Sequence, residues 1–85
     1  MKSYATGQVV GTVEKVERHP AGGVLVVVTV SSGWTHEVIF RATLARWANK
    51  NLAIGVRVFV EGHLRRSYPG IIARDAVVLG CSSSY

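Results

Sequence analysis

From Val56 to Glu61 the chain alternates strictly, with Val56, Val58 and Val60 on one side and Arg57, Phe59 and Glu61 on the other. A period of two is a strand's period, and one valine face backed by a mixed face marks a half-buried strand. Gly62 then interrupts the pattern, as glycine does where a strand must bend sharply or coil into a barrel. Just upstream, Leu52 and Gly55 read as a helix end and its glycine stop. With 85 residues there is room for one modest core. A coiling strand in so short a chain therefore points to a small barrel or sandwich.

The other segments fill in the same picture. Residues 8–18 carry Val9, Val10, Val13 and Val16 with Gly11 inside, a first strand that can curve at the glycine. His19-Pro20-Ala21-Gly22-Gly23 is a turn signal. Residues 24–30 are nearly all β-branched and form a second strand. Ser31-Ser32-Gly33 makes a short hairpin turn into a third strand over residues 34–41. Leu44, Trp47, Ala48 and Leu52 recur at helical spacing, with Thr43 as the expected N-cap. The opening strand is the fourth. Ser67-Tyr68-Pro69-Gly70 reads as a turn and residues 71–79 as the last strand. Three strands, one helix and two strands, all with short connections, exclude a doubly wound sheet. The expected class is all-β with one helix, a five-stranded OB-fold barrel whose helix lies between the third and fourth strands. Residues 1–80 make one such domain and residues 81–85 a small-residue tail. A plain five-stranded sandwich is the competing arrangement; the helix position, Gly11 and Gly62 favour the barrel.

Composition narrows the function. Ten Lys+Arg against five Asp+Glu leave a net charge of +5 and a pI near 10.0. In a chain this short that favours a polyanionic partner such as nucleic acid, against the plainer reading of charge kept for solubility. No apolar run reaches the ~18 residues of a membrane span, and the N-terminus lacks the apolar region of a signal peptide. The single Cys81 forms no internal disulfide, and three scattered histidines make no zinc set. No cofactor is expected, and the implied setting is cytoplasmic. Catalysis has no motif to stand on, with neither a P-loop nor a nucleophile elbow. Asp75 and the four glutamates are too scattered for a metal pair. The chain reads as a non-enzyme.

The order and spacing of several short pieces resemble the bacterial single-stranded DNA-binding proteins, over most of the chain. Pro20-Ala21-Gly22-Gly23 and the strand ending Val28-Thr29-Val30-Ser31-Ser32 are similar to that family's Pro-x-Gly-Gly turn and second strand. Trp34, Phe40, Leu44 and Ala45 resemble its Trp-x5-Phe strand and Leu-Ala helix start, with one extra residue after the Phe. Leu52, Gly55, Val58, Val60, Glu61, Gly62 and Leu64 match its helix end and fourth strand without gaps. Gly11-Thr12-Val13 is also similar to the small dimeric relative, primosomal replication protein B. The departures are a second-to-third strand loop cut to Ser31-Ser32-Gly33, a hairpin cut to Tyr68-Pro69-Gly70, and no acidic C-terminal tip for recruiting repair proteins. The resemblance implies a trimmed, mobile-element-like member that binds single-stranded DNA. It also implies a homodimer made by pairing first strands, or a homotetramer of two such dimers.

Sequence-tolerant binding of single strands needs cations that follow phosphates and flat side chains on which bases stack. Trp34, His36, Val38 and Phe40 share one face of the third strand. The resemblance makes Trp34 and Phe40 stacking positions and places His36 where the family often has a basic residue. Phe40 fits the core equally well, and His36 fits a merely solvated histidine. Glu37 falls on the opposite face, where the barrel interior is expected. Arg57 and Phe59 face away from the valines and are candidates for the same surface; Phe59 also suits a subunit contact or a place under the helix. Arg65, Arg66 and Tyr68 cluster at the last hairpin as backbone and stacking contacts, or as a charged turn that keeps a sheet edge soluble. Trp47 belongs with the helix's apolar face. The expected function is single-stranded DNA binding in replication, recombination or mobile-element metabolism. A protein-interaction OB module of a primosome or conjugation complex, and an RNA-binding OB protein, are the rivals.

Overall fold

Six elements follow one another: β1 (Ala5–Arg18), β2 (Val24–Thr29), β3 (Thr35–Phe40), α1 (Thr43–Asn51), β4 (Val56–Arg65) and β5 (Tyr68–Cys81). The computed structural model describes residues 5–18, 22–65 and 68–81, with the backbone alone at residues 5, 6, 65, 68, 69 and 81. The strands close in the order β1-β2-β3-β5-β4. A closed five-stranded barrel with one helix between β3 and β4 is the OB-fold.

Closure depends on β1 serving two partners. Residues 5–12 pair antiparallel with β4, and residues 12–18 pair antiparallel with β2. Thr12 stands at the changeover, opposite Arg57 on one side and Thr29 on the other. A bulge follows between Val13 and Lys15, adding the local twist that sends β1 on around the barrel. On the far side β3 and β5 meet in a short parallel stretch, Val38 opposite Ile71 and Ile39 opposite Ile72. Sequence periodicity gave no sign of that pairing, because it is made between elements far apart in the chain.

The core is mostly valine. Val13, Val24, Val26, Val28, Val38, Phe40, Val58 and Val60 are essentially sealed from solvent. β-branched side chains suit this interior, since they pack well on a pleated surface at little rotamer cost. The helix α1 lies against β2, β3 and β5. It buries Ala45 and Ala48, with Leu44 and Trp47 half-buried against the same core. Ala42, not Thr43, is the N-cap, at φ 56° and with no side-chain cap bond. After the helix, the Gly55 N–H donates to the Val13 carbonyl at 2.9 Å, tying the helix exit to β1.

The last two strands run further than their sequence suggests. Tyr68-Pro69-Gly70 is strand rather than turn, with Tyr68 opposite Arg65; Ser67, the first residue of the expected turn, lies outside the described residues. At the other end Gly80 and Cys81 still pair, with Arg57 and Val56. The long β4 template holds both ends of β5 in the ladder. Among the described residues no helix is long and apolar enough to cross a membrane.

Close approach to backbone is tightest at two glycines. A Cβ on Gly62 would lie 2.2 Å from the Ile72 carbonyl oxygen, and one on Gly11 would lie 2.4 Å from that of Thr29. Both neighbours are backbone and have no rotamer to escape into. Gly62→Ala and Gly11→Ala are each expected to destabilise by roughly 1–3 kcal/mol or more, as overpacking does. At Gly7 a Cβ would rest 3.4 Å from the Leu64 side chain, an ordinary contact. Gly7→Ala should therefore stay within about 0.5 kcal/mol of wild type. Denaturant unfolding of the three variants measures this, and equal stabilities would contradict the close-approach argument.

Candidate nucleic-acid interface

Strand β3 carries the sharpest difference from expectation. Trp34, His36, Val38 and Phe40 do share one side, but that side is the inner one. Val38 and Phe40 are buried while Thr35, His36 and Glu37 are exposed. Phe40 is 0% exposed and sets its ring 6.1 Å from that of Trp47, tilted 35°. It is a core residue with no face free for a base, which corrects its reading as a stacking position. Glu37 is corrected in the opposite sense: it stands exposed on the outer face, across from Val27, and poses no burial problem. Parity along a strand follows from the residues; which parity faces inward is decided by what the strand packs on.

Trp34 is the exposed aromatic of this surface, 74% accessible at the tip of the β2–β3 hairpin. The loop beneath it is tight. The Val30 N–H donates to the Trp34 carbonyl at 2.9 Å, and the Gly33 N–H donates to the Val30 carbonyl at 2.9 Å. A fixed backbone thus presents a large apolar ring to water, with a shallow hollow of about 310 Å³ formed by Ser32, Gly33, Trp34 and Thr35. An exposed indole on a rigid hairpin forgoes burial that core aromatics gain.

The outer face of β1, β2 and β3 is built in rows. One row runs Lys15–Val27–Glu37 and the next Glu17–Leu25–Ile39. The Lys15 ammonium lies 2.7 Å from the Glu17 carboxylate, which raises the Lys15 pKa by accepting its hydrogen bond and by its opposite charge. Glu14, in the bulge, accepts a hydrogen bond from the Thr29 hydroxyl. Three carboxylates thus share this face with one lysine that is already paired.

A third row differs. Thr35, Thr29, Thr12 and Arg57 lie side by side across β3, β2, β1 and β4. Its far end opens into a groove of about 470 Å³ walled by Val10, Thr12, Thr29, Val30, Ser31 and Arg57. Arg57 is exposed there, as its place opposite the valines implies. Sequence reasoning missed the threonines, because each stands alone in its own strand and only the register assembles them.

Phe59 lies one row on, half-buried between Val10 and Val77 on the outer face of β1, β4 and β5, and not under the helix. Val10 and Val77 are 46% and 50% exposed, so this row is an apolar strip open to water. Arg65 and Tyr68 face each other where β4 and β5 end, described by their backbone alone, and Arg66 lies outside the described residues. Arg74 sits apart from Trp34, in a hollow of about 340 Å³ with Glu61, Gly62 and Asp75. Among the described residues no three His, Cys, Asp or Glu side chains gather into a metal site.

No family model matches the chain, and no curated protein matches it. Solved structures do. A chain of the S. pombe Stn1–Ten1 complex superposes with a TM-score of 0.77 and 24% identity, over 87% of this chain and 57% of that one. The present chain thus corresponds to little more than half of that partner's length. The S. cerevisiae mitochondrial single-stranded DNA binding protein Rim1 superposes with a TM-score of 0.78 and 13% identity, over 94% of this chain and 99% of that one. At these identities the likeness is one of fold, and it agrees with the OB barrel read from the strand order.

The opposite placements of Phe40 and Trp34 separate in stability. Phe40→Ala is expected to cost about 3–5 kcal/mol, the usual range for a buried aromatic. Trp34→Ala should cost no more than about 0.5 kcal/mol, as for an exposed site. Thermal or denaturant unfolding reads both, and a Phe40→Ala protein as stable as wild type would put that ring back on the surface.

Proposed function

We propose that this protein is a sequence-tolerant single-stranded-DNA-binding OB module. The observation that carries this reading is Trp34, 74% exposed at a backbone-bonded hairpin of an OB barrel. Stacking on such a ring accepts any base, since every base has a π-face. The net charge of +5 supports a polyanionic partner, and neutralised phosphates would supply the salt-dependent part of the affinity. A barrel of the same fold occurs in Rim1, a protein named for single-stranded DNA binding. The module is read as non-catalytic and cytoplasmic, acting in replication, recombination or mobile-element DNA metabolism, and working as a homodimer or homotetramer.

One observation favours a second reading. The strip Val10–Phe59–Val77 is apolar and open, and exposed apolar strips mark protein contacts. It suits the self-association just named, and equally a protein-interaction OB module in which strand binding is secondary.

Fluorescence titration with oligo-dT at several salt concentrations separates the two. The strand-binding reading expects Trp34 emission to be quenched and log affinity to fall linearly with log salt. Trp34→Ala should weaken binding by roughly 5- to 150-fold, one lost stack of about 1–3 kcal/mol, with the fold intact. Folded wild-type protein that ignores oligo-dT at low salt would leave the interaction module as the better reading. Parallel titrations with oligo-U and duplex DNA test the preference for a DNA single strand.

A further inference from the structure

The threonine row gives a route for a bound strand. Thr35 adjoins Trp34 in sequence and pairs with Thr29; Thr29 pairs with Thr12, and Thr12 with Arg57. Neighbouring strands stand about 4.8 Å apart, so the three steps from β3 to β4 cover about 14 Å. The row is built of threonine hydroxyls and ends on a cation, with the Glu14 carboxylate bonded to the Thr29 hydroxyl in its middle.

Charge disfavours the two rows that lie beside the threonine row on β1, β2 and β3. In the Lys15–Val27–Glu37 and Glu17–Leu25–Ile39 rows the one cation, Lys15, is already paired with Glu17 and offers a phosphate little. Within the threonine row, Glu14 takes up the Thr29 hydroxyl, so that position offers a phosphate no free donor. Beyond it the groove walls offer the hydroxyls of Thr12 and Ser31 and the guanidinium of Arg57. Among the described residues Arg57 has no carboxylate partner. A guanidinium presents a planar fork of donors that matches phosphate oxygens, and hydroxyls donate to the same oxygens.

We infer that Arg57, with the Thr12 and Ser31 hydroxyls, forms a phosphodiester subsite, and that a strand stacked on Trp34 runs along the threonine row to reach it. The inference rests on the strand-binding function proposed above and specifies its path. The subsite lies where β1 meets β4, with Ser31 of the β2–β3 hairpin on its opposite wall. Its edge meets the apolar strip at Val10, so a subunit seated on that strip would border the groove.

The test compares Arg57→Gln with Lys50→Gln, which removes the same charge from an exposed site on the helix. Each is titrated with a long oligo-dT across a salt series, with circular dichroism to check the fold. Arg57→Gln is expected to weaken binding several-fold and to reduce the salt slope by about 0.7, one phosphate contact on a single strand. Quenching of Trp34 at saturation should persist. Lys50→Gln should change neither affinity nor slope. An oligo-dT too short to cover about 14 Å should bind wild type and Arg57→Gln alike, because it cannot reach from Trp34 to β4. Wild-type binding with an unaltered Arg57→Gln affinity and slope would remove the subsite and leave strand binding standing. Equal losses in the two variants would reduce Arg57 to a share of net charge and also overturn it. Wild-type protein that fails to bind oligo-dT would remove the underlying function as well.

Discussion

The barrel closes because two backbone segments pass closer than any side chain allows. Where β1 crosses from β4 to β2, Gly11 faces the Thr29 carbonyl, and where β4 bends under β5, Gly62 faces that of Ile72. With a Cβ at either place the strands would have to part, and the sheet would open along its tightest curve. Much else follows from these contacts. β1 can be shared by two neighbours only if it turns at Gly11, and that turn puts Thr12 between Thr29 and Arg57. The polar row across the surface is thus a by-product of curvature that the core demands.

Those same contacts explain which parts of the fold were legible in the chain. Alternating valines and the two glycines gave the strands, the helix and their order, since each rests on residues close in sequence. The limits of β5 were not legible: Pro69 and Gly70 carry turn chemistry, yet they lie inside β5, at a register shift of its ladder with β4. The parallel meeting of β3 and β5 has no local mark at all. In the candidate site, the parity of β3 was readable and its direction was not. A helix and a sheet enclose Phe40, and neither is visible from Trp34-x5-Phe40 spacing. The exposure of Trp34 was readable from its place beside a hairpin turn. Thr12, Thr29 and Thr35 were not, because their meaning lies in the register of three different strands.

Net charge and local charge also part company here. An excess of five positive charges describes the chain as a whole, and over distances beyond a Debye length it attracts any polyanion. At contact distance, placement decides. Glu14, Glu17 and Glu37 lie on one face of the sheet, while Arg57 lies around the curve beside the hydroxyls. A basic protein can thus own an acidic face, and the approach of a ligand and its final seat are governed by different subsets of the same charges.

The seam between β3 and β5 sets how such a barrel comes apart. It is held by two residue pairs among the described residues, against ten between β4 and β5. It also joins positions more than thirty residues apart, Val38 to Ile71. As the ladder with the fewest pairs, it is where local opening, well below the cost of global unfolding, is expected first. An open seam turns the ring into a curved five-stranded sheet with two bare edges, β3 and β5. Each edge is an extended backbone with free hydrogen-bonding groups, able to accept a strand from another copy before it recloses. The barrel's protection against strand exchange thus resides in its shortest ladder.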